Sequence, residues 1–354
     1  DEDLIARENV VITITSTGYA KRTKVDAYKA QKRGGKGVRG AELKQDDIVK
    51  NFFVCSTHDW ILFFTNFGRV YRLKAYELPE AGRTARGQHV ANLLEFQPEE
   101  KIAQVIQIQS YEDAPYLVLA TKQGRVKKSR LTDYESARSA GLIAINLNEG
   151  DALIGASLVD EGDDILLTSE QGQAIRFTAD DDQLRPMGRA TAGVKGMRFR
   201  GDDQLLSMSV VHDGGYLLVA TSGGYGKRTA IEEYTPQGRG GLGVMTFKYT
   251  PKRGKLIGAI AVDEEDEIFA ITSVGGVIRT EVNQIRPSSR ATMGVRLVNL
   301  SNDVELLAID RNVEDHGEED AQAVAKGEKS VEDVQQEHLK IADSKNTNDE
   351  GNEE

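Results

Sequence analysis

The chain is poor in the residue types on which covalent and metal chemistry is built. Its 354 residues include one cysteine, Cys55, and five histidines. A lone cysteine excludes a disulfide framework and any cysteine zinc site. His58, His89, His212, His316 and His338 lack metal-ligand spacing, and the acidic runs at Asp180–Asp182 and Asp263–Glu267 lack that of an EF-hand. No apolar run reaches the roughly 18–20 residues of a membrane span, and no basic-then-apolar leader opens the chain. It begins at Asp1 rather than Met, as a processed or excised fragment would. Gly223–Arg228 ends in Gly-Lys-Arg rather than Gly-Lys-Ser/Thr, so there is no P-loop. Gly35–Gly40 fits G-x-G-x-x-G but opens no predicted helix. No nucleophile–base arrangement emerges, so no catalytic residue, metal ligand or cofactor is assigned to this chain. A cytoplasmic setting is expected.

What is present begins with charge sorted along the chain. The net charge is −11. Residues 313–354 carry 14 acidic and four basic residues, a net of −10, whereas 1–312 carry 42 acidic and 41 basic. The acidity belongs to a tail. Its polarity predicts a disordered segment over 313–354, with a weak helical pattern only at Ser330–Ala342, where Ser330 and Asp333 are placed like a cap.

Residues 1–312 are built on a sixfold repeat. A strand-like run reaches a turn with glycine and continues into a strand ending in a base: TSTGYAKRT, TNFGRVYRL, TKQGRVKKS, SEQGQAIRF, TSGGYGKRT and TSVGGVIRT. The turn glycines are Gly18, Gly68, Gly124, Gly172, Gly224 and Gly275, and the bases are Arg22, Arg72, Lys128, Arg176, Arg228 and Arg279. A second glycine follows each after 17 to 21 residues: Gly37, Gly87, Gly141, Gly193, Gly243 and Gly294. Apolar runs joined by polar turns fill the intervals. About four strands in each period of roughly 50 residues predicts an all-β, six-bladed, propeller-like closed disc of four-stranded blades over 1–312. The orphan run Val304–Asp310 is expected to complete the first blade beside Val10–Thr15 and so close the ring.

The loops before the second glycines carry the functional signal. Tyr28–Gly40 holds five bases and no acid, around Gln31-Lys32-Arg33-Gly34-Gly35-Lys36-Gly37. Closely spaced glycines let a backbone turn its N–H groups onto an anion, and the flanking bases add charge. GRTARGQHV, RPMGRATAGVKG, QGRGGLGV and RPSSRATMGV are similar, whereas ESARSAGL is poorer in bases and glycine. A ring of such loops suits a wrapped polyanion, gripped through phosphates rather than read by base.

Gln31–Gly37 resembles the seven-residue box of the C-terminal domains of bacterial DNA gyrase A subunits, type IIA topoisomerases. The repeats TxxGxxxR, LPEAGRTARG, GKRTAIEEY and RATMGVRLV match the same family over roughly residues 1–312. Gln237–Gly243 resembles a second box with Leu242 in place of a base. The resemblance implies a six-bladed β-pinwheel that exchanges strands between blades and wraps duplex DNA in a positive sense around its rim, without sequence specificity. Negative supercoiling would follow from strand passage in an A2B2 holoenzyme, with ATP and Mg2+ used elsewhere and this fragment noncatalytic, monomeric alone and free of membranes. The implied contacts are Lys32, Arg33 and Lys36 in the box, then Arg39, Arg83, Arg86, Arg138, Arg189, Lys195, Arg239, Arg290 and Arg296, with the six strand-end bases in support. A topoisomerase IV A-subunit domain and a protein-interaction propeller are the alternatives. Phosphate contacts from six loops imply a slope of log K against log salt of roughly −5 to −11. The tail, if it competes with DNA for the rim, would temper binding.

Overall fold

The computed structural model describes residues 1–30 and 47–337. Each repeat folds first as a hairpin. The turn glycine N–H donates to the carbonyl three residues back, as in Gly18 to Thr15 at 3.0 Å and Gly124 to Thr121 at 2.9 Å. In five turns the Thr or Ser hydroxyl accepts from the N–H four residues on, as in Tyr19 to Thr15 at 3.1 Å and Gln173 to Ser169 at 3.0 Å. The glycine at the fourth position takes φ between +74° and +99° in all six copies. That left-handed backbone explains why the sequence repeats T-x-x-G rather than T-x-x-x.

Six antiparallel sheets result. Blade 1 runs Val49–Ser56, Asn9–Thr15, Tyr19–Lys24 and Gln88–His89 from the axis outwards. Blade 2 runs Ile102–Ile108, Trp60–Thr65, Arg69–Lys74 and Leu142–Ile143. Blade 3 runs Leu153–Val159, Tyr116–Thr121, Arg125–Arg130 and Val194–Lys195. Blade 4 runs Leu205–Val211, Asp164–Ser169, Gln173–Thr178 and Val244–Met245, and blade 5 runs Leu256–Val262, Tyr216–Thr221, Tyr225–Ala230 and Val295–Arg296. Blade 6 has three strands among the described residues, Leu306–Arg311, Glu267–Thr272 and Val277–Glu281. The outer strand of each of blades 1 to 5 comes from the loop of the next repeat, so neighbouring blades share strands. Aliphatic clusters fill the gaps between blades, as where Val118 and Val126 of blade 3 meet Ile165, Leu167, Ile175 and Phe177 of blade 4.

Two expectations are corrected. Val304–Asp310 does not complete blade 1: its strand pairs with Glu267–Thr272, Ala270 opposite Ile309, as the inner strand of blade 6. The partner of Val10–Thr15 on the axial side follows it in sequence, at Val49–Ser56. The reason is general to the repeat. A short polar connection such as 109–115 has apolar strands on both sides and reads as a hairpin, but it joins the inner strand of one blade to the next blade. The first and last blades meet by packing, with Ile48 against Phe269, Ile271 and partly buried Ala308.

The tail is the second correction. Composition predicts disorder from residue 313, but helix α1, Glu314–Ala325, and a helical segment over 331–337 pack on blade 1. Ala321, Val324, Val331 and Val334 cover Val11, Val25, Tyr28 and Val54, and Gly317 lies on the Phe52 ring. A few valines and alanines on one side suffice here, because the blade supplies the rest of the apolar surface. Ser330 and Asp333 do form the expected cap, each backbone N–H donating to the other's side chain at 3.0 Å. Residues 338–354 lie outside the described residues.

The second glycines let the exchanged strand lie flat on its host blade. A Cβ at Gly243 would sit 2.2 Å from the Ala174 carbonyl oxygen, with φ already +73°. Gly243→Ala is therefore expected to lift Val244–Met245 from blade 4 and to cost about 2–4 kcal/mol, checked by denaturant unfolding.

Candidate nucleic-acid interface

Among the described residues the rim is assembled from the loops 81–87, 135–141, 187–193, 237–243 and 288–294, each lapping from one blade onto the outer edge of the blade before. The stretches 81–89, 185–195, 237–245 and 286–296 contain no acidic residue. Their arginines form a belt. Arg189 Nη1 donates to the Ile143 carbonyl at 2.8 Å, Arg239 Nη1 to that of Lys195 at 2.9 Å and Arg290 Nη1 to that of Met245 at 2.7 Å. Each acceptor ends the exchanged strand of the preceding loop, so the guanidinium of one loop ties down the loop behind it. Arg239 is further held by donating to the Gln183 carbonyl.

The other assigned residues fall in three settings. Arg138 and Lys195 are exposed on the rim, the Arg138 carbonyl accepting from the Arg72 N–H. Arg86 stacks on Tyr19 at 3.7 Å, and Arg296 donates to the Tyr225 hydroxyl at 2.8 Å. Arg83 lies over Tyr28 at 4.6 Å and 3.5 Å from the Glu318 carboxylate of α1. Gln31, Lys32, Arg33, Gly34, Gly35, Lys36, Gly37 and Arg39 lie outside the described residues.

Five of the six strand-end bases point into the joints between blades, and Arg279 keeps its contacts within blade 6. Arg22 reaches the Leu78 carbonyl, Lys128 that of Ala179 at 2.9 Å, and Arg228 that of Ile285. Arg176 donates to the carbonyls of Ile231 and Tyr234, both at 3.2 Å, and to Asp164 at 2.8 Å and Asp213 at 3.1 Å. Arg72 stacks on Trp60 at 3.8 Å and donates to the Tyr111 hydroxyl at 2.9 Å, while Arg279 pairs with Glu267 at 3.2 Å. All but Arg279 brace the disc between blades.

Sequence reasoning passed over a second set. Lys21, Lys127 and Lys227 each stand three residues after a turn glycine, in blades 1, 3 and 5, and are at most 1% exposed. Their ammonium groups bind backbone carbonyls of the rim loops in blades 2, 4 and 6. The signal was the alternation of AKR, VKK and GKR with VYR, AIR and VIR among the repeats. Burial lowers Lys127 to about 7 and Lys21 and Lys227 to about 8 from the ordinary 10.5. Between those values and 10.5 the unfolded chain binds more protons than the folded one, so stability rises with pH through that interval. Buried tyrosines such as Tyr134, raised to about 12 by burial, oppose this only where tyrosines ordinarily titrate, near 10. The thermal midpoint is expected to be higher at about pH 9 than at about pH 7, as calorimetry would show.

Arg69 and Arg125 were likewise missed. Arg69 Nη2 donates to the Ala140 carbonyl at 3.0 Å and Arg125 Nη2 to that of Gly193 at 2.9 Å, each on a neighbouring rim loop. Among the described residues no three His, Cys, Asp or Glu side chains converge as a metal site, and no helix is long and apolar enough to cross a membrane.

A family model described as the DNA gyrase C-terminal domain, beta-propeller, matches residues 9–56, 59–109, 115–160, 163–212, 215–263 and 266–312, blade by blade. The DNA gyrase A subunit of Mycolicibacterium smegmatis is 68% identical over 315 residues, 89% of this chain and 37% of that protein. Its counterpart in Streptomyces coelicolor is 63% identical over 318 residues, 88% of this chain and 37% of that protein. The chain thus spans a little over a third of these relatives. A solved DNA gyrase A C-terminal domain superposes with a TM-score of 0.65 at 29% identity, covering 86% of this chain and 99% of that one. The C-terminal domain of a DNA topoisomerase IV superposes with a TM-score of 0.82 at 26% identity, covering 92% and 99%.

Proposed function

Because the chain belongs to the DNA gyrase C-terminal β-propeller family, we propose that it binds duplex DNA around its basic rim and wraps it in a positive sense. The wrap would present a neighbouring segment for strand passage, so that the holoenzyme introduces negative supercoils. The belt of Arg189, Arg239 and Arg290 carries this reading. It sets guanidinium groups at successive blades along one edge, where their remaining N–H groups suit phosphate oxygens. Bending about 20–30 bp by 40–90° costs on the order of 1–6 kcal/mol, which several such contacts offset. The chain would act without catalysing, in the bacterial cytoplasm, beside gyrase B subunits that bring ATP and Mg2+. Topoisomerase IV shares the disc, as the TM-score of 0.82 attests, but 68% identity to a gyrase A protein favours gyrase.

The deciding experiment binds the chain to a small circular plasmid, relaxes it with a nicking-closing enzyme and measures the linking difference. A retained positive difference, lost when Lys32, Arg33 and Lys36 become Ala, supports wrapping anchored at the box. Binding without a linking change reduces the role to bending, and no binding at low salt favours a protein-interaction propeller. The tail bears on the same surface, since Glu318 of α1 occupies Arg83 at 3.5 Å. Removing residues 313–354 would also strip the apolar cover from Tyr28 and Val54, so a point change is cleaner. Glu318→Gln is expected to tighten DNA binding about two- to fivefold at low salt, since it releases Arg83 from a half-buried ion pair; unchanged affinity by fluorescence anisotropy rejects competition at Arg83.

A further inference from the structure

Resting on the reading that the rim meets DNA, a second feature bears on which atoms would meet it. The Lys21 ammonium donates to the carbonyls of Gly82 at 2.9 Å, Arg83 at 2.8 Å and Ala85 at 2.8 Å. Lys227 donates to the carbonyls of Ser289 at 3.0 Å, Arg290, and Thr292 at 2.8 Å. Lys127 donates to the Arg189 carbonyl, to Gly188 at 3.4 Å and to Ala144 beneath them. In blades 2, 4 and 6 the equivalent positions hold Tyr71, Ile175 and Ile278, which have no ammonium to offer. The clip therefore serves every second blade.

A trans peptide sets its N–H antiparallel to its C=O. Carbonyls gathered inward on a buried ammonium turn the paired N–H groups outward: those of Arg83, Thr84 and Arg86, of Arg189 and Ala190, and of Arg290, Ala291 and Met293. Successive outward N–H groups make a concave anion site. One of them already holds an oxyanion, since the Arg290 N–H donates to the Glu233 carboxylate at 3.0 Å. We propose that the rim loops of blades 2, 4 and 6 bind DNA phosphates through these backbone N–H groups, with Lys21, Lys127 and Lys227 as the positioning residues that aim them. Backbone contact with DNA then has a period of two blades: N–H cradles alternate with the loops 135–141 and 237–243, which have no lysine clip and would meet DNA through side chains alone.

The test uses the full chain and two probes, inorganic phosphate and a short duplex, read by backbone amide NMR. Phosphate is expected to shift the Arg189 and Ala190 amides saturably, together with those of Thr84 and Arg86. The Arg290 amide should respond only after Glu233→Ala removes its competitor. Lys127→Met should abolish the response at 189–190, leave that at 84–86 intact and weaken duplex binding about tenfold, as for loss of a charge-assisted hydrogen bond. A lysine with a merely structural role would lower stability without this local loss. Should Lys127→Met not fold, Ala190→Pro deletes one donor with the clip intact and should weaken the phosphate response of its loop. Wild-type amides silent to both probes, or a Lys127→Met chain that responds like wild type, overturns the proposal. Amides that answer phosphate in a chain that does not bind duplex would sink the wrapping function and leave the anion cradles standing.

Discussion

Alanine at Arg189, Arg239 and Arg290 together is expected to lower affinity for duplex DNA about 100- to 1,000-fold near 0.1 M salt, and to flatten the salt slope by about 3. The three side chains are partly exposed and lie on successive blades, so each meets a different stretch of backbone. Each is also already oriented by a carbonyl on the preceding exchanged strand, at 2.8, 2.9 and 2.7 Å, which spares part of the entropy of ordering a long side chain on binding. Lys195, exposed on the same edge, is the control. Lys195→Ala should reduce the slope by about one and cost far less, because a lone ammonium makes a point contact. Anisotropy titrations across about 0.05–0.2 M salt measure both. A triple variant with an unchanged slope would remove these arginines from the DNA path.

Arg176→Ala is expected to cost about 3–5 kcal/mol and to lower the thermal midpoint by roughly 10 °C. The guanidinium is 8% exposed and joins blade 4 to blade 5 through two carbonyls, while its other contacts are Asp164 and Asp213. Alanine removes the cation and leaves both carboxylates facing a void at the joint. Arg239→Ala, on the rim, should move the midpoint little while weakening DNA binding. Calorimetry and anisotropy on the two variants therefore separate bases that build the disc from bases that serve its edge, and equal midpoints would erase the distinction.

The sequence separates Arg176, at a strand end, from Arg239, in a loop, but nothing in it shows that the first turns into a joint between blades. The repeat was legible because its punctuation is stereochemical: only glycine tolerates φ of +99° at Gly18, so the hairpin turns stand out at fixed intervals. Blade number and the arginine-bearing rim followed from it. Strand partnership did not, because Ile102–Ile108 and Tyr116–Thr121 are equally apolar on either side of a polar connection, and only the third dimension assigns them to different blades. The buried lysines escaped for a related reason. Lysine in a strand reads as a solvated face, and the carbonyls that accept Lys21 belong to a loop about 60 residues further on, as the separations of 61, 62 and 64 show. The helices of the tail were hidden by composition, since Ala321, Val324, Val331 and Val334 are scattered among carboxylates.

The shared strands have a consequence for the ribosome. A nascent blade 1 that has emerged through Ser56 has three of its strands but still lacks Gln88–His89, which belongs to the next repeat. Until that segment emerges, the Tyr19–Lys24 edge offers unpaired N–H and C=O groups to any passing strand. The same debt passes from blade to blade as each repeat leaves the exit tunnel. Synthesis at roughly 5–20 residues per second leaves each edge open for seconds, far longer than the microseconds a hairpin needs to form. The lysines and arginines on those edge strands, Lys21 and Arg22, Lys127 and Lys128, Lys227 and Arg228, are then still in water. They would repel like edges of neighbouring nascent chains before the finished disc buries them as clips and latches.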